Sequence, residues 1–232
     1  MSKRQKTFSQ LFNVKETRSM KLLFLGDSIT QGTGASSTDK RYTELVAARL
    51  GCEMINYGIG GTRIGRQKET SVNTVWDIDF RTRLALMESE CDRVFVFGGT
   101  NDYGHGTLHL GSPDKCDENT FCTQLRMLID ALFAKYGKEK VTFIIPLRRF
   151  LEDPIRCKGA NRDELGASFL DYIVSMRKIL DEYGIDYIDL YENGFPKPLV
   201  NTGDEFTTDG LHPNDRGYEL ICDRICEYLA NK

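Results

Sequence analysis

The sequence is poor in histidine and tryptophan, with three His and one Trp among 232 residues. Any imidazole used as a general base or metal ligand must therefore be His105, His109 or His212. Long apolar runs are missing too, so no segment approaches the length of a membrane span. The one hydrophobic run near the start, Leu22 to Leu25, is too short for a signal h-region. Dense stripes of Lys and Arg are absent, and the formal net charge is only -3. A nucleic-acid partner has no electrostatic footprint here. The seven cysteines (Cys52, Cys91, Cys116, Cys122, Cys157, Cys222 and Cys226) contain no CxxC pair. Buried thiols in a reducing, cytoplasmic compartment are expected rather than disulfides. Cys222 and Cys226 stand one helical turn apart, but no histidine has matching spacing, so packing is expected rather than a metal. The glycines at 58, 60 and 61 do not fit a dinucleotide-binding Gly-x-Gly-x-x-Gly. A Gly-x-Ser-x-Gly elbow is also absent.

The segments that are present alternate between two periodicities. Short β-rich runs occur at Lys21–Leu25, Glu53–Tyr57, Arg93–Phe97, Val141–Pro146 and Ile185–Leu190. Most are consecutively apolar, as strands covered on both faces of a parallel sheet must be. Apolar residues at threes and fours predict helices over Glu118–Tyr136, Asp163–Tyr183 and Asp215–Leu229. Gly137 and Gly184 stand where left-handed C-caps are wanted. Strands alternating with helices call for a three-layer α/β sandwich with right-handed crossovers. Residues 1–20, basic and polar, read as an extension ahead of one domain over 21–232, a length that buries a core without metal or disulfides.

In open α/β sheets ligands bind beyond the carboxyl ends of the strands. Small and polar residues follow four strands: Gly26-Asp27-Ser28-Ile29-Thr30, Asn56 through Thr62, Gly98-Gly99-Thr100-Asn101-Asp102, and, through a long loop, Thr208 through Pro213. Ester hydrolysis needs a nucleophile, a base, a group orienting the base, and oxyanion donors. Ser28 supplies a hydroxyl at a strand end. His212 supplies a base whose free pKa of about 6.5 suits neutral pH. Asp209 can fold back to fix its tautomer. The N–H groups of Ser28 and Gly61 and the Asn101 amide can hold the oxyanion.

These segments together resemble the SGNH (GDSL) hydrolases. Gly26-Asp27-Ser28-Ile29 is similar to the GDSL block, with Ile29 in place of Leu. Asn56 through Gly61 resembles the second block, Gly98 through Asp102 the third, and Asp209-Gly210-Leu211-His212-Pro213 the fifth. The four occur in the family's order from Gly26 to Pro213. The resemblance implies a flavodoxin-like sandwich with a five-stranded parallel sheet. It also implies a cofactor-free and metal-free esterase acting on a small-molecule ester through an acyl-enzyme, with Ser28, Asp209 and His212 catalytic and Ser28, Gly61 and Asn101 forming the oxyanion hole. A small acyl group, such as acetate on a sugar, is expected. Acyl transfer to another acceptor and non-catalytic carbohydrate recognition remain open, as does Gly60 in place of Gly61. No membrane partner is expected, and the oligomeric state is open.

Other readings compete residue by residue. Ser28 could be a helix N-cap. Asp209 and His212 could cap the last helix. Asp102 is assigned a structural role. His105 and His109 read as a solvated loop, and Arg63, Arg148 and Arg149 as solvated charges or contacts to a polar substrate. Trp76 is either substrate wall or core.

Overall fold

Strand β1 (Lys21–Gly26) buries every residue after Lys21, and its position explains why. In the computed structural model, which describes residues 19–116, 119–152 and 166–232, β1 pairs in parallel with a strand on either side. These are β2 (Glu53–Gly58) and β3 (Arg93–Phe97), and β4 (Val141–Ile145) and β5 (Tyr187–Asp189) follow. The order is β2-β1-β3-β4-β5, parallel throughout. The side-chain period of two sends alternate residues to opposite faces. Leu23, Leu25, Val94, Val96, Phe143 and Ile145 share one core, while Leu22, Phe24, Phe95, Phe97 and Ile144 share the other. Phe24 and Phe95 stack with ring centroids 5.3 Å apart.

Helices cover both faces. On one side lie α3 (Phe80–Leu84), α5 (Phe121–Tyr136) and α6 (Phe169–Tyr183). On the other lie α2 (Tyr42–Leu50) and α8 (Asp215–Ala230). Shorter helices α1 (Ser28–Gln31), α4 (Thr100–His105) and α7 (Leu190–Asn193) follow strand ends. Caps fix the helix starts. The hydroxyl of Thr120 accepts from Thr123 N–H, Ser168 and Asp171 form a capping box, and Asn214 accepts from Gly217 N–H. Each is worth about 1 kcal/mol. The last of these corrects the expectation that Asp209 or His212 caps α8.

Several boundaries differ from the sequence reading, for local reasons. The fifth strand contracts because Ile185 N–H closes the end of α6 on Leu180 O, while Asp189 already caps α7 through Glu192 N–H. Gly184 is left-handed (φ 60°, ψ 44°), whereas Gly137 has positive φ but an extended ψ of 148°. Helix α2 was not anticipated, since its buried side is only Tyr42, Thr43 and Val46. Met20, expected in the extension, packs on the core, and its carbonyl accepts from Glu53 N–H. Residues 1–18, Glu118, Asp163, Leu165 and Cys157 lie outside the described residues. Among those described, no helix is long and apolar enough to cross a membrane, and no group of His, Cys, Asp or Glu could hold a metal. Cys222 and Cys226 are free, their sulfurs 3.9 Å apart.

Candidate active site

The order of the sheet reverses between β1 and β3, which makes their carboxyl ends the natural crevice. At the end of β1 the chain enters α1 at Ser28. The cap is Asp27, whose Oδ1 accepts from Ile29 N–H at 3.0 Å, so Ser28 is not the capping residue. Its hydroxyl points elsewhere, with Oγ 3.0 Å from His212 Nε2. The other ring nitrogen, Nδ1, is 2.7 Å from Asp209 Oδ2. An ionised carboxylate has no proton to give, so Nδ1–H must donate, and in the neutral ring Nε2 offers its lone pair to the Ser28 hydroxyl.

The 209–213 turn is built to hold that arrangement. Asp209 Oδ1 accepts from Leu211 N–H at 3.0 Å and His212 N–H at 2.8 Å. One carboxylate thus shapes the turn with one oxygen and orients the imidazole with the other. Burial pushes the Asp209 carboxyl up, but the His212 backbone and ring hydrogen bonds and the Leu211 N–H outweigh it and hold it below its ordinary value.

Helix α1 is anchored from its surroundings. Asn56 donates from Nδ2 to Thr30 O at 2.6 Å and Thr43 Oγ1 at 2.9 Å, and it accepts from Gly58 N–H at 2.8 Å. From α8, the Tyr218 hydroxyl reaches Ile29 O and Thr33 O at 3.0 and 2.8 Å. Ser28 itself is only 8% exposed.

Next to Ser28, a Cβ added to Gly60 would lie 3.7 Å from Ser28 Cβ. Gly60 N–H is engaged by Gln31 Oε1 at 2.7 Å. Gly61 N–H donates to no described residue and has φ of 76°, a backbone region that favours glycine. Asn101, in α4, donates one amide N–H to Thr62 O at 3.0 Å. An amide has two such donors, so one bond orients the group and leaves the second for another acceptor. Asp102 has the structural role expected of it. Its carboxylate accepts from Ile64 N–H at 3.0 Å and Gly65 N–H at 2.8 Å, tying α4 to the loop after β2.

Sequence reasoning missed Arg83. Its buried guanidinium donates from Nη1 to Gly26 O at 3.0 Å and Tyr57 O at 2.5 Å, and from Nη2 to Thr62 Oγ1 at 2.9 Å. It clamps the ends of β1 and β2 to the loop beyond Gly61. No local pattern marks it, because its partners are backbone groups far along the chain. Burial lowers its pKa to about 10, and burial likewise pushes the carboxyls of Asp27 and Asp102 up to about 6. Gln31 was also missed, for the same reason.

The remaining candidates are resolved individually. Arg63 is 2% exposed and paired with Asp77 at 2.7 Å, so it is not a solvated charge. Arg149 is buried against Thr100, donating to its carbonyl at 2.9 Å. Arg148 pairs with Glu152. His109 is exposed, whereas His105 is half-buried against Trp76, their rings 4.5 Å apart. Trp76 is half-buried and borders Gly61, outside both hydrophobic cores.

Comparisons with known proteins bear on the family and the fold. A search of curated proteins finds no significant match. Among solved structures, a protein from Lactobacillus plantarum is 25% identical, with a TM-score of 0.74 over 92% of this chain and 98% of that one. The lipase/acylhydrolase from Enterococcus faecalis is 24% identical, with a TM-score of 0.59 over 91% and 96%. A member of the lipolytic G-D-S-L family from Veillonella parvula DSM 2008 is 19% identical, with a TM-score of 0.62 over 92% and 100%. The two below 25% identity share the fold. The sequence model of one family matches residues 24–220, a span that takes in Ser28, Gly61, Asn101, Asp209 and His212, and the chain therefore belongs to the GDSL-like lipase/acylhydrolase family.

Proposed function

We propose that the protein is a serine esterase that hydrolyses carboxylic esters of small acyl groups through an acyl-enzyme. The observation that carries this reading is the unbroken relay from Ser28 Oγ to His212 Nε2 and from Nδ1 to Asp209, at 3.0 and 2.7 Å. Ser28 attacks the ester carbonyl while Nε2 takes its proton. The oxyanion that forms is held by Ser28 N–H, Gly61 N–H and the second amide N–H of Asn101. Gly61 is favoured over Gly60 because Gln31 occupies the Gly60 N–H. The imidazolium then protonates the departing alcohol. Water, deprotonated by the neutral ring, attacks the acyl-enzyme and releases the acid.

The free cysteines fit a reducing, cytoplasmic setting. The test is hydrolysis of p-nitrophenyl acetate by purified wild-type protein and Ser28→Ala, followed by a panel of longer acyl esters. The variant should lose nearly all activity. Equal rates for the two proteins would defeat the esterase reading.

A further inference from the structure

We propose that a second cavity, beyond Gly61, is a carbohydrate subsite that holds the sugar portion of the ester. Its catalytic meaning rests on the esterase reading above; its ability to bind a sugar does not. The cavity is about 230 Å³ and is walled by Trp76 and His105, with Arg63 at its base and Glu69, Thr70 and Thr107 around it.

Its position links it to the nucleophile. A Cβ added to Gly61 would lie 2.1 Å from both Cδ1 and Nε1 of Trp76. The indole therefore lies directly against the bare α-carbon of the proposed oxyanion residue. The preceding residue, Gly60, borders Ser28. Two consecutive glycines thus connect the two places, Gly61 touching the indole and Gly60 bordering Ser28.

The wall is held in place before any ligand arrives. Asp77 accepts from Ser71 N–H at 2.9 Å, Ser71 Oγ at 2.6 Å and Arg63 Nη2 at 2.7 Å. Asn73 caps the 3₁₀ turn Thr74–Asp77, which carries Trp76. Arg63 also donates to His105 O at 3.1 Å, joining this turn to α4. Side chains fixed in this way lose little entropy when a ligand binds.

The chemistry of the cavity selects among ligand classes. Arg63 is already neutralised by Asp77, and Glu69 adds a carboxylate, so a phosphate or carboxylate ligand meets more negative than positive charge. An acyl chain could pack on Trp76 and Val72 but would offer nothing to Glu69 and Thr70, which have no hydrogen-bond partner among the described residues. A sugar ring meets both demands. Its C–H face packs on the aromatic wall, and its hydroxyls can reach Glu69, Thr70, Thr107 and the indole N–H. That N–H has no partner among the described residues, and the buried Nε of Arg63 likewise lacks one.

Trp76 is the only tryptophan in the chain, so intrinsic fluorescence reads this cavity directly. Titration of wild-type protein with unacylated xylobiose or cellobiose should give a weak but saturable change in emission, and octanoate or inorganic phosphate should give none. An unchanged emission with both sugars, or an equal response to octanoate or phosphate, would overturn the subsite. In kinetics, Trp76→Ala and the milder Glu69→Gln should each lower kcat/KM for acetylated xylobiose, relative to p-nitrophenyl acetate, by about tenfold or more. An unchanged ratio in both variants would overturn it as well. Failure of the esterase reading appears separately, as equal rates for wild type and Ser28→Ala, and leaves the fluorescence result standing.

Discussion

Replacing Asp209 with Asn separates the two jobs of this carboxylate. Its Oδ1 accepts from Leu211 N–H and His212 N–H, and only an oxygen can do so. In the variant the amide oxygen is therefore expected at that position, which turns the NH₂ toward His212 Nδ1. Two donors cannot face each other, so Nδ1 must become the acceptor and the proton moves to Nε2. A ring protonated at Nε2 cannot take the Ser28 proton. The charge is lost as well. At 2.7 Å, with an effective dielectric of about 40–80 suited to a carboxylate that is 48% exposed, its attraction to imidazolium is worth about 1.5–3 kcal/mol. That alone corresponds to about 10–150-fold in rate. With the wrong tautomer added, kcat for p-nitrophenyl acetate should fall by about 10²–10⁴-fold with little change in KM. Asp209→Ala imposes no tautomer but also removes the acceptor that shapes the turn, so its kcat should fall on the same scale. A kcat for Asp209→Asn within threefold of wild type, in a protein of unchanged circular dichroism, would refute the reasoning.

Three other outcomes are expected. Asn101→Ala should lower kcat by about 10²–10³-fold, the usual loss of one oxyanion donor, and steady-state kinetics showing an unchanged kcat would remove Asn101 from the mechanism. Gly61→Ala forces a Cβ to within 2.1 Å of Trp76 at a φ of 76°, so it should both cut kcat at least tenfold and shift tryptophan emission; a silent spectrum would mean the indole does not rest on Gly61. The third concerns stability against pH. Burial raises the folded pKa of Asp102 from 3.8 to about 6, so between those values the folded state holds a proton that the unfolded state releases. Its contribution is therefore full below about pH 4 and is lost as pH rises through 6. Asp102→Asn removes that loss, and its Tm should fall less than that of wild type, or rise more, between pH 4 and 7; parallel Tm profiles would contradict the assignment.

The sequence by itself determined the layers and the candidate chemistry. Consecutive apolar residues in Lys21–Leu25 and Arg93–Phe97 demanded strands covered on both faces. The heptad-like stripes from Phe121 to Phe133 and from Phe169 to Leu180 demanded helices to cover them. Ser28, Gly61, Asn101, Asp209 and His212 were legible because each stands in a short polar segment whose company of glycines, Asp and Asn has no use inside a strand. Such signals are local, so a linear reading can find them.

Only the tertiary structure decided which residues hold those groups in place. Arg83, Gln31 and Asn56 make their decisive bonds to backbone and side-chain atoms 13 to 57 positions away, and nothing near them in the chain announces those partners. The same holds for Arg63, which composition assigns to solvent and the fold buries with Asp77, and for Trp76, which only folding lays against Gly61. Periodicity records which face of an element is buried; it does not record which distant atom a buried polar group will meet. That pairing is fixed by the strand order, which sets side by side the loops after β1, β2 and β3.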